Sequence, residues 1–351
     1  MAQYPYRQNS MIEADETTRL DATRLRDQDA FQRLTDPYQR ELLVHCYRIL
    51  GSFEDAEDVL QETLLRAWHR LDSFEGRASL RAWLYKIATN ASLDALDSRR
   101  RRIMPTAIHT PANPGDPLPG PVNEFLWLEP LPDTLLDGRP TIDPEARYEA
   151  RESITLAFLV ALQNLPGRQR AVLILRDVLG WRASEVAELL DMTVVAVNSA
   201  LQRARTTLKK HRSDLVPDIV APVDDKQTAS LLARYVEAWE AADSKTLVAL
   251  LHEDAVMTMP PLPLWYRGRT DIQWFLDTHL FTGQAQERFR LVSTQANGCP
   301  AFAVYQCDEA SVYRPTALQV LTIKHGQIVE INDFLTFDHR LFSRFGLPLV
   351  G

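Results

Sequence analysis

The sequence has little of what builds secreted or membrane-bound proteins. Three cysteines among 351 residues, Cys46, Cys299 and Cys307, are too few and too scattered for a disulfide framework, and none lies in a Cys-x-x-Cys pair or a Cys/His cluster of zinc spacing. That scarcity points to a reducing, cytoplasmic setting and to no metal or other cofactor. Long apolar runs are missing too: Ile154 to Leu162, the longest helical one, falls far short of the roughly 20 residues that span a bilayer. The opening Met-Ala-Gln-Tyr-Pro-Tyr-Arg has no apolar core of the signal-peptide kind. A soluble chain with no membrane contact is expected. Positive charge is not in excess: 39 Lys and Arg face 47 Asp and Glu, so a net charge of -8 argues against nonspecific nucleic-acid binding by the whole surface. What is present, 45% hydrophobic and 25% charged residues, is an ordinary globular composition whose charges are sorted into blocks.

Proline divides the chain. Ten of the 21 prolines fall between Pro105 and Pro144, where helix and sheet ladders would both lose donors. The stretch 103–149 therefore reads as a linker, able to reach on the order of 150 Å at about 3.3 Å per extended residue, so that the domains it joins need not touch. A second break runs through Pro217 and Pro222. The expected organisation is a tail over 1–25, a folded unit over 26–102, the linker, a second unit over 150–213, a short linker over 214–226 and a third unit over 227–351. The first two units show helical spacing of apolar residues almost throughout. The third opens with an amphipathic helix (Leu231, Leu232, Tyr235, Val236, Trp239) and turns to alternating runs over 289–296, 301–307, 318–324 and 328–335. His325-Gly326 joins the last two as a tight hairpin, giving an α+β unit whose long antiparallel sheet packs on helices.

In the first unit, Ser52 precedes five acids (Glu54, Asp55, Glu57, Asp58, Glu62) with no base among them. Acids near a helix start complement the macrodipole, and Ser52 is placed to cap it. Asp55, Asp58 and Glu62 also share one face, with Gln61 beside it, which suits docking to a basic protein surface. Further on, Phe74-Glu-Gly forms a short loop before a helix on which Trp83, Ile87, Asn90 and Asp94 form one stripe, and Arg99 to Arg102 close it. An aromatic beside an amide and arginines suits an unstacked base and its phosphates; a core Trp, a satisfied Asn and a solvated basic helix end would give the same string.

Taken together, Asp-Ala-Glu-Asp-Val-Leu-Gln-Glu-Thr, Ser-Phe-Glu-Gly and Trp-Leu-x-x-Ile-x-x-Asn, in that order and spacing, resemble region two of the extracytoplasmic-function sigma factors of bacterial RNA polymerase over about 70 residues. The resemblance implies that Asp55, Asp58, Gln61 and Glu62 dock on the polymerase clamp helices. It also implies that Phe74 and Asn90, with Arg99, Arg100 and Arg101, hold the minus-ten element and a base flipped from it.

In the second unit Leu165-Pro166 precedes one helix, Ser184 to Leu190 form another, and the turn Asp191-Met-Thr193 opens a longer one with Thr193 as a plausible N-cap. From Val194 to Arg212 there are five bases and no acid, the charge expected of a helix that enters the major groove or grips its phosphates. This helix-turn-helix is similar to sigma region four, which reads the minus-thirty-five element and docks on the polymerase flap. The resemblance implies DNA contacts from Thr193, Asn198, Ser199, Gln202, Arg203 and Arg205. The pattern departs from the commonest one at Arg182 (usually Ser or Thr), Asp191 (often Gly), Asn198 and Ala200 (often Lys and Arg). Trp127-Leu-Glu-Pro-Leu-Pro-Asp in the linker resembles a short motif of such sigma factors, whose linker threads the polymerase interior.

The third unit resembles the SnoaL-like cone, shared by cyclases, isomerases and many noncatalytic modules. His252, Asp254, His279 and Asp333 are its acid/base candidates, and Met257, Met259, Trp265, Trp274 and Phe334 are candidates to line an apolar pocket. No spacing fixes their geometry, so no catalytic residue is assigned and an enzyme is not expected. The whole reads as a multidomain chain: two all-α sigma domains, a helical bundle and a helix-turn-helix, followed by an α+β SnoaL-like domain. The expected function is an alternative sigma factor that brings core RNA polymerase to promoter DNA. Intramolecular contact of the C-terminal domain with the sigma domains is expected to modulate it. The alternatives are a helix-turn-helix repressor with a ligand-sensing domain and a cyclase or isomerase fused to DNA-binding helices.

Overall fold

Capping chemistry sets the first helices. The computed structural model describes residues 27–74, 76, 78–98, 102–108, 110–122, 126–136, 153–215, 226–283, 287–336 and 340–350. Asp27 Oδ1 accepts from the amides of Asp29 (2.9 Å) and Ala30 (3.2 Å) and starts α1, Gln28–Leu50. Gly51, at φ 74°, ends it by donating its N–H to the Tyr47 carbonyl at 2.7 Å, a left-handed position that suits glycine. Ser52 Oγ then accepts from Asp55 N (3.0 Å) and opens α2, Phe53–Arg70, as the sequence predicts. The third helix, α3, spans Leu80–Ser98. The three bury Leu42, Cys46, Tyr47, Ile49, Ala56, Leu84 and Ala88, each at most 1% exposed. Within this core His45 bonds Thr89 (2.8 Å), and burial pushes its imidazole down to about 3, so it stays neutral.

After the proline-rich stretch come α4 (Leu156–Gln163), α5 (Gly167–Leu173), a π-turn over Ile174–Val178, α6 (Ala183–Leu189) and α7 (Val194–Leu215). The turn between α6 and α7 needs a left-handed residue, and Asp191 takes it at φ 53°. Thr193 Oγ1 accepts from Ala196 N (3.2 Å) and caps α7.

The chain divides into two units, Met1–Arg99 with Pro166–Ala204 and Arg100–Leu165 with Arg205–Gly351. The second unit contains the proline-rich stretch. Its described residues are not a free tether: they lie on the C-terminal sheet. The C-terminal domain runs α8 (Lys226–Glu240), α9 (Ser244–Ala249), β3 (Leu251–Thr258), β4 (Trp265–Arg267), α10 (Arg269–Phe275), β5 (Phe289–Ala296), β6 (Cys299–Cys307), β7 (Tyr313–Lys324) and β8 (Gln327–Leu335), and its sheet has the strand order β4-β3-β8-β7-β6-β5. Neighbours are antiparallel except β3 and β8, which run parallel, so the long antiparallel sheet of the sequence reading is a mixed one. His325 and Gly326 (φ 48° and 74°) make the predicted tight turn.

Alternation gives the sheet two faces. Phe302, Val304, Leu321, Ile331 and Met257 pack inward against Tyr235 and Trp239 of α8. Ala303 and Tyr305 point the other way, against Phe342 of the short helix α11, Arg340–Arg344. Short strands β1 (Arg102–Ile103) and β2 (Leu126–Trp127) pair in parallel. The turn between β5 and β6 holds the segment after β2. Asn297 N donates to Leu131 O (2.9 Å), Leu131 N to Asn297 Oδ1 (2.9 Å), Asn297 Nδ2 to Ile154 O (2.8 Å), and Gly298 N to Asp133 Oδ1 (2.8 Å). Leu128 and Leu131 are buried, and Glu129 is reached by Arg102 (3.2 Å) and Arg344 (3.3 Å). The 127–133 motif is therefore folded into the second unit through its backbone and both acids.

Candidate nucleic-acid interface

The acidic helix presents one exposed edge. Asp58, Gln61 and Glu62 are exposed, and Leu65, at 56%, continues them one turn later. Asp55 leaves that face: it is 8% exposed in the first turn of α2, where a carboxylate complements the freed amides. Glu62 accepts from Arg66 Nε (2.7 Å), and Arg66 also reaches Asp94 on α3 (3.1 Å). Sequence reasoning missed Leu65. Its signal is an apolar residue seven after Asp58 and three after Glu62, on the polar side of an amphipathic helix.

Phe74 is 7% exposed, its ring 5.1 Å from that of Trp83. The two line a cleft of about 590 Å³ whose other walls include Arg81, Lys86, Trp181, Glu185 and Glu188. Asn90, half-buried further along α3, does not line it, so the structure joins Phe74 to Trp83 and leaves Asn90 outside the cleft. Arg99, Arg100 and Arg101 lie outside the described residues.

The walls of this cleft come from both helical halves of the first unit. Lys86 Nζ contacts Asp191 Oδ1 (2.8 Å) and donates to Glu188 O (3.2 Å). The Tyr85 and Trp181 rings lie 5.2 Å apart, with the Arg81 guanidinium 4.9 Å from the first and 5.8 Å from the second. Arg81 is itself held by Glu41 (2.9 Å), and Arg170 donates to the Ile49 carbonyl. Asp191, unusual as a turn residue, thus does something glycine could not: it supplies a carboxylate to Lys86.

On α7 the exposed face carries Thr193, Asn198, Gln202, Arg203 and Arg205, with Ser199 half-buried, while Val197, Ala200, Leu201 and Ala204 pack inward. Val194 and Val195 stand 43% and 75% exposed beside the cap, and the sequence reading passed them over. Two apolar side chains in an otherwise polar face are suited to thymine methyl groups. Ahead of α6, Arg182 needs no hydroxyl, because Glu185 Oε2 accepts from its backbone N–H at 2.6 Å.

In the C-terminal domain the acid/base candidates are not grouped as a catalytic pair. His252 Nδ1 accepts from Asp254 N (3.2 Å), and His279 meets the Trp274 ring edge-on and the Phe275 ring at a tilt. Asp333 is 4% exposed and faces inward, whereas Phe334 faces the other side with Leu318. Among the described residues no group of three or more His, Cys, Asp or Glu is placed to hold a metal ion, and no helix is long and apolar enough to cross a membrane.

The chain matches family models for sigma-70 region 2 over residues 34–102, sigma-70 region 4 over 155–208 and a SnoaL-like domain over 232–331. It is 46% identical over 320 residues to the ECF RNA polymerase sigma factor SigG of Mycobacterium tuberculosis, covering 91% of this chain and 84% of that one. The chain is an extracytoplasmic-function (ECF) sigma factor. SigW of Bacillus subtilis is 30% identical over 189 residues, 54% of this chain and 92% of that one. The fold is that of the crystal structure of the M. tuberculosis ECF sigma factor SigJ, with a TM-score of 0.53 at 24% identity, covering 88% of this chain and 96% of that one. This sigma factor is a transcription initiation factor, with α1 to α3 as region two, α5 to α7 within region four, and a SnoaL-like domain beyond them.

Proposed function

We propose that this cytoplasmic sigma factor binds core RNA polymerase and promoter DNA and stores itself in a closed form that its SnoaL-like domain helps to maintain. The exposed edge Asp58, Gln61, Glu62 and Leu65 docks on the polymerase clamp helices, with Asp55 holding the start of the same helix. Region four docks on the flap. Phe74, with Asn90 nearby and Arg99, Arg100 and Arg101 on the phosphates, takes a base flipped from the minus-ten element. Thr193, Asn198, Ser199, Gln202, Arg203 and Arg205 face the minus-thirty-five element.

The observation that carries the closed form is the packing of region four on region two. Spaced as in this family, the two promoter elements lie ~50–60 Å apart at about 3.4 Å per base pair, while Lys86 and Asp191 are 2.8 Å apart. One duplex cannot present both elements to helices that touch, and Trp181 walls the cleft behind Phe74. Opening must therefore precede promoter binding, and the 103–149 stretch must lengthen for it. That stretch is held by Asn297 and Gly298, which gives the C-terminal domain its hold over the sigma regions.

Permanganate footprinting of a melted promoter tests the reading. Asn90→Ala and Phe74→Leu are expected to associate with core polymerase at the native rate and to lower thymine reactivity severalfold, while Asp58→Arg with Glu62→Arg slows association. Normal opening by the first pair removes the base-capture role; unchanged association by the second returns these acids to helix stabilisation.

A further inference from the structure

The first turns of α7 carry an exposed stripe without a charge. At about 100° per residue, Val195, Asn198 and Gln202 fall within roughly 60° of one another, opposite the buried Val197, Ala200, Leu201 and Ala204. Asn198 and Gln202 are exposed, and Val195 is 75% exposed. From Val194 to Gln202 the sequence has no charged residue, and the first cation, Arg203, stands about 80° round the helix from Val195. The other polar groups of this end are less available. Thr193 Oγ1 accepts from Ala196 N (3.2 Å) as the cap, and Ser199 is half-buried.

Each group on the stripe has a complement among the base edges of the major groove. A carboxamide carries a donor and an acceptor side by side. Adenine offers the matching pair, N7 to accept and the N6 amine to donate, whereas guanine offers two acceptors, N7 and O6, and leaves the amide oxygen facing a lone pair. A cation would suit guanine, and the stripe has none. An exposed valine adds little to the core, but its methyl groups match the C5-methyl of thymine. Both preferences describe the same base pair. Along the axis the three side chains span roughly 10 Å at 1.5 Å per residue, or about three base-pair steps of 3.4 Å.

We propose that Val195, Asn198 and Gln202 make this sigma factor select A·T pairs in its minus-thirty-five element. The two carboxamides each take an adenine through N6 and N7, and Val195 packs on a thymine methyl. The inference rests on the reading that α7 faces that element, and it adds which bases are chosen. Arg203, off the stripe, takes phosphate and so supplies affinity without sequence. Specificity at these positions is set by neutral groups. Replacing an amide by arginine therefore moves the choice to guanine instead of abolishing it.

The test starts from a promoter that the full chain uses with core polymerase, found by sequencing transcripts from a genomic library. Its minus-thirty-five element is randomised and the transcribed templates are sequenced. The native chain is expected to enrich A·T over G·C about tenfold at two or more neighbouring positions. Asn198→Arg should turn one of these to G·C and keep the rest, and Gln202→Arg should turn another. Exchanging thymine for deoxyuridine in the selected element removes only the methyl group; it should weaken binding of the native chain severalfold and leave that of Val195→Ser unchanged. Arg203→Ala is expected to weaken all templates alike and to reduce the salt slope of binding by about one. Selection of G·C by the native chain, or an unchanged preference in both arginine variants, would overturn the assignment even where Arg203→Ala keeps α7 on the DNA. Indifference of the native chain to deoxyuridine, an arm that needs no variant, would remove Val195 from it. If no variant, Arg203→Ala included, alters transcription, α7 does not face the element and the underlying reading falls as well.

Discussion

Two long-range attachments in this chain differ in how far their polar bonds are buried. Region four meets region two through an exposed charge pair, with Lys86 38% and Asp191 75% exposed, beside the packing of Trp181 on Tyr85 and Arg81 and the buried bond from Arg170 to the Ile49 carbonyl. The 127–133 segment is held on the SnoaL-like sheet by neutral, buried bonds through Asn297, which is 0% exposed, and by Leu128 and Leu131 in the core. Exposed ion pairs contribute roughly 0–1 kcal/mol and are screened by salt, whereas losing one partner of a buried bond costs about 1–3 kcal/mol for each group orphaned. The charged part of the first attachment is therefore suited to release, and the second attachment to persistence.

Asn297 is where the comparison breaks most sharply. Removing its side chain orphans the Leu131 amide and the Ile154 carbonyl together, so Asn297→Ala is expected to cost the segment several kcal/mol. The backbone adds to this, since Asn297 sits at φ 55°, a left-handed position that alanine tolerates poorly. Asn297→Gly relieves the backbone but not the bonds and separates the two causes. Hydrogen exchange at the amides of Leu131 and Gly298 should rise by more than a hundredfold in the alanine variant and less in the glycine one. Exchange across α1 to α3 is expected to stay unchanged, and a rise there as well would mean that the two attachments are not independent.

Asp333 sharpens it from the other side, because it is buried like Asn297 yet left short of bonds. Burial pushes its carboxyl from the ordinary 3.8 up to about 7, while the Gln319 amide beside it pulls the other way. The folded state keeps this proton after the unfolded chain has released it. Stability is therefore expected to fall as pH rises from about 4 to about 7, with the full penalty present above 7. Asp333→Asn should flatten that slope in urea midpoints taken across the window, and an equal slope in both proteins would place the titrating group elsewhere.

Much of this was legible in sequence, for a reason that differs by region. Ser52, Thr193 and His325-Gly326 act within a few residues of themselves, so caps and turns could be read directly. Strand β5 of the SnoaL-like domain alternates over its eight residues, and the run 289–296 fixes it at both ends. The attachments were not legible, since Asn297 and Leu131 are 166 residues apart and nothing local marks either as a partner. The proline-rich stretch reads as a free linker because proline removes ladder donors, but a chain with few donors is still held when a neighbouring turn supplies both bonding groups to one leucine. At the nucleic-acid interface, the resemblance placed Phe74 and Asn90 together, and the structure joins Phe74 to Trp83 instead, because the helical stripe from Trp83 carries Asn90 along α3 and away from the loop.

The smallest effect belongs to Lys86, and its size is what makes it informative. An exposed pair of this kind contributes about 0.2–1 kcal/mol, so Lys86→Ala should leave the melting temperature within about 2 °C of native. Its consequence lies in the balance between closed and open forms, where 0.7 kcal/mol already changes a population ratio threefold. Single-molecule energy transfer between labels on α2 and α7 is expected to show a severalfold larger open fraction for Lys86→Ala at low salt. The difference should shrink as salt is raised through about 0.15 M, where the screening length falls to about 8 Å. Asp191→Gly should match Lys86→Ala, since it removes the same pair while easing the turn backbone. A salt-independent closed form in all three proteins would mean that Tyr85, Trp181 and the Arg170 bond to Ile49 hold region four by themselves, and the contrast between a charged, releasable attachment and a neutral, persistent one would fail at its first term.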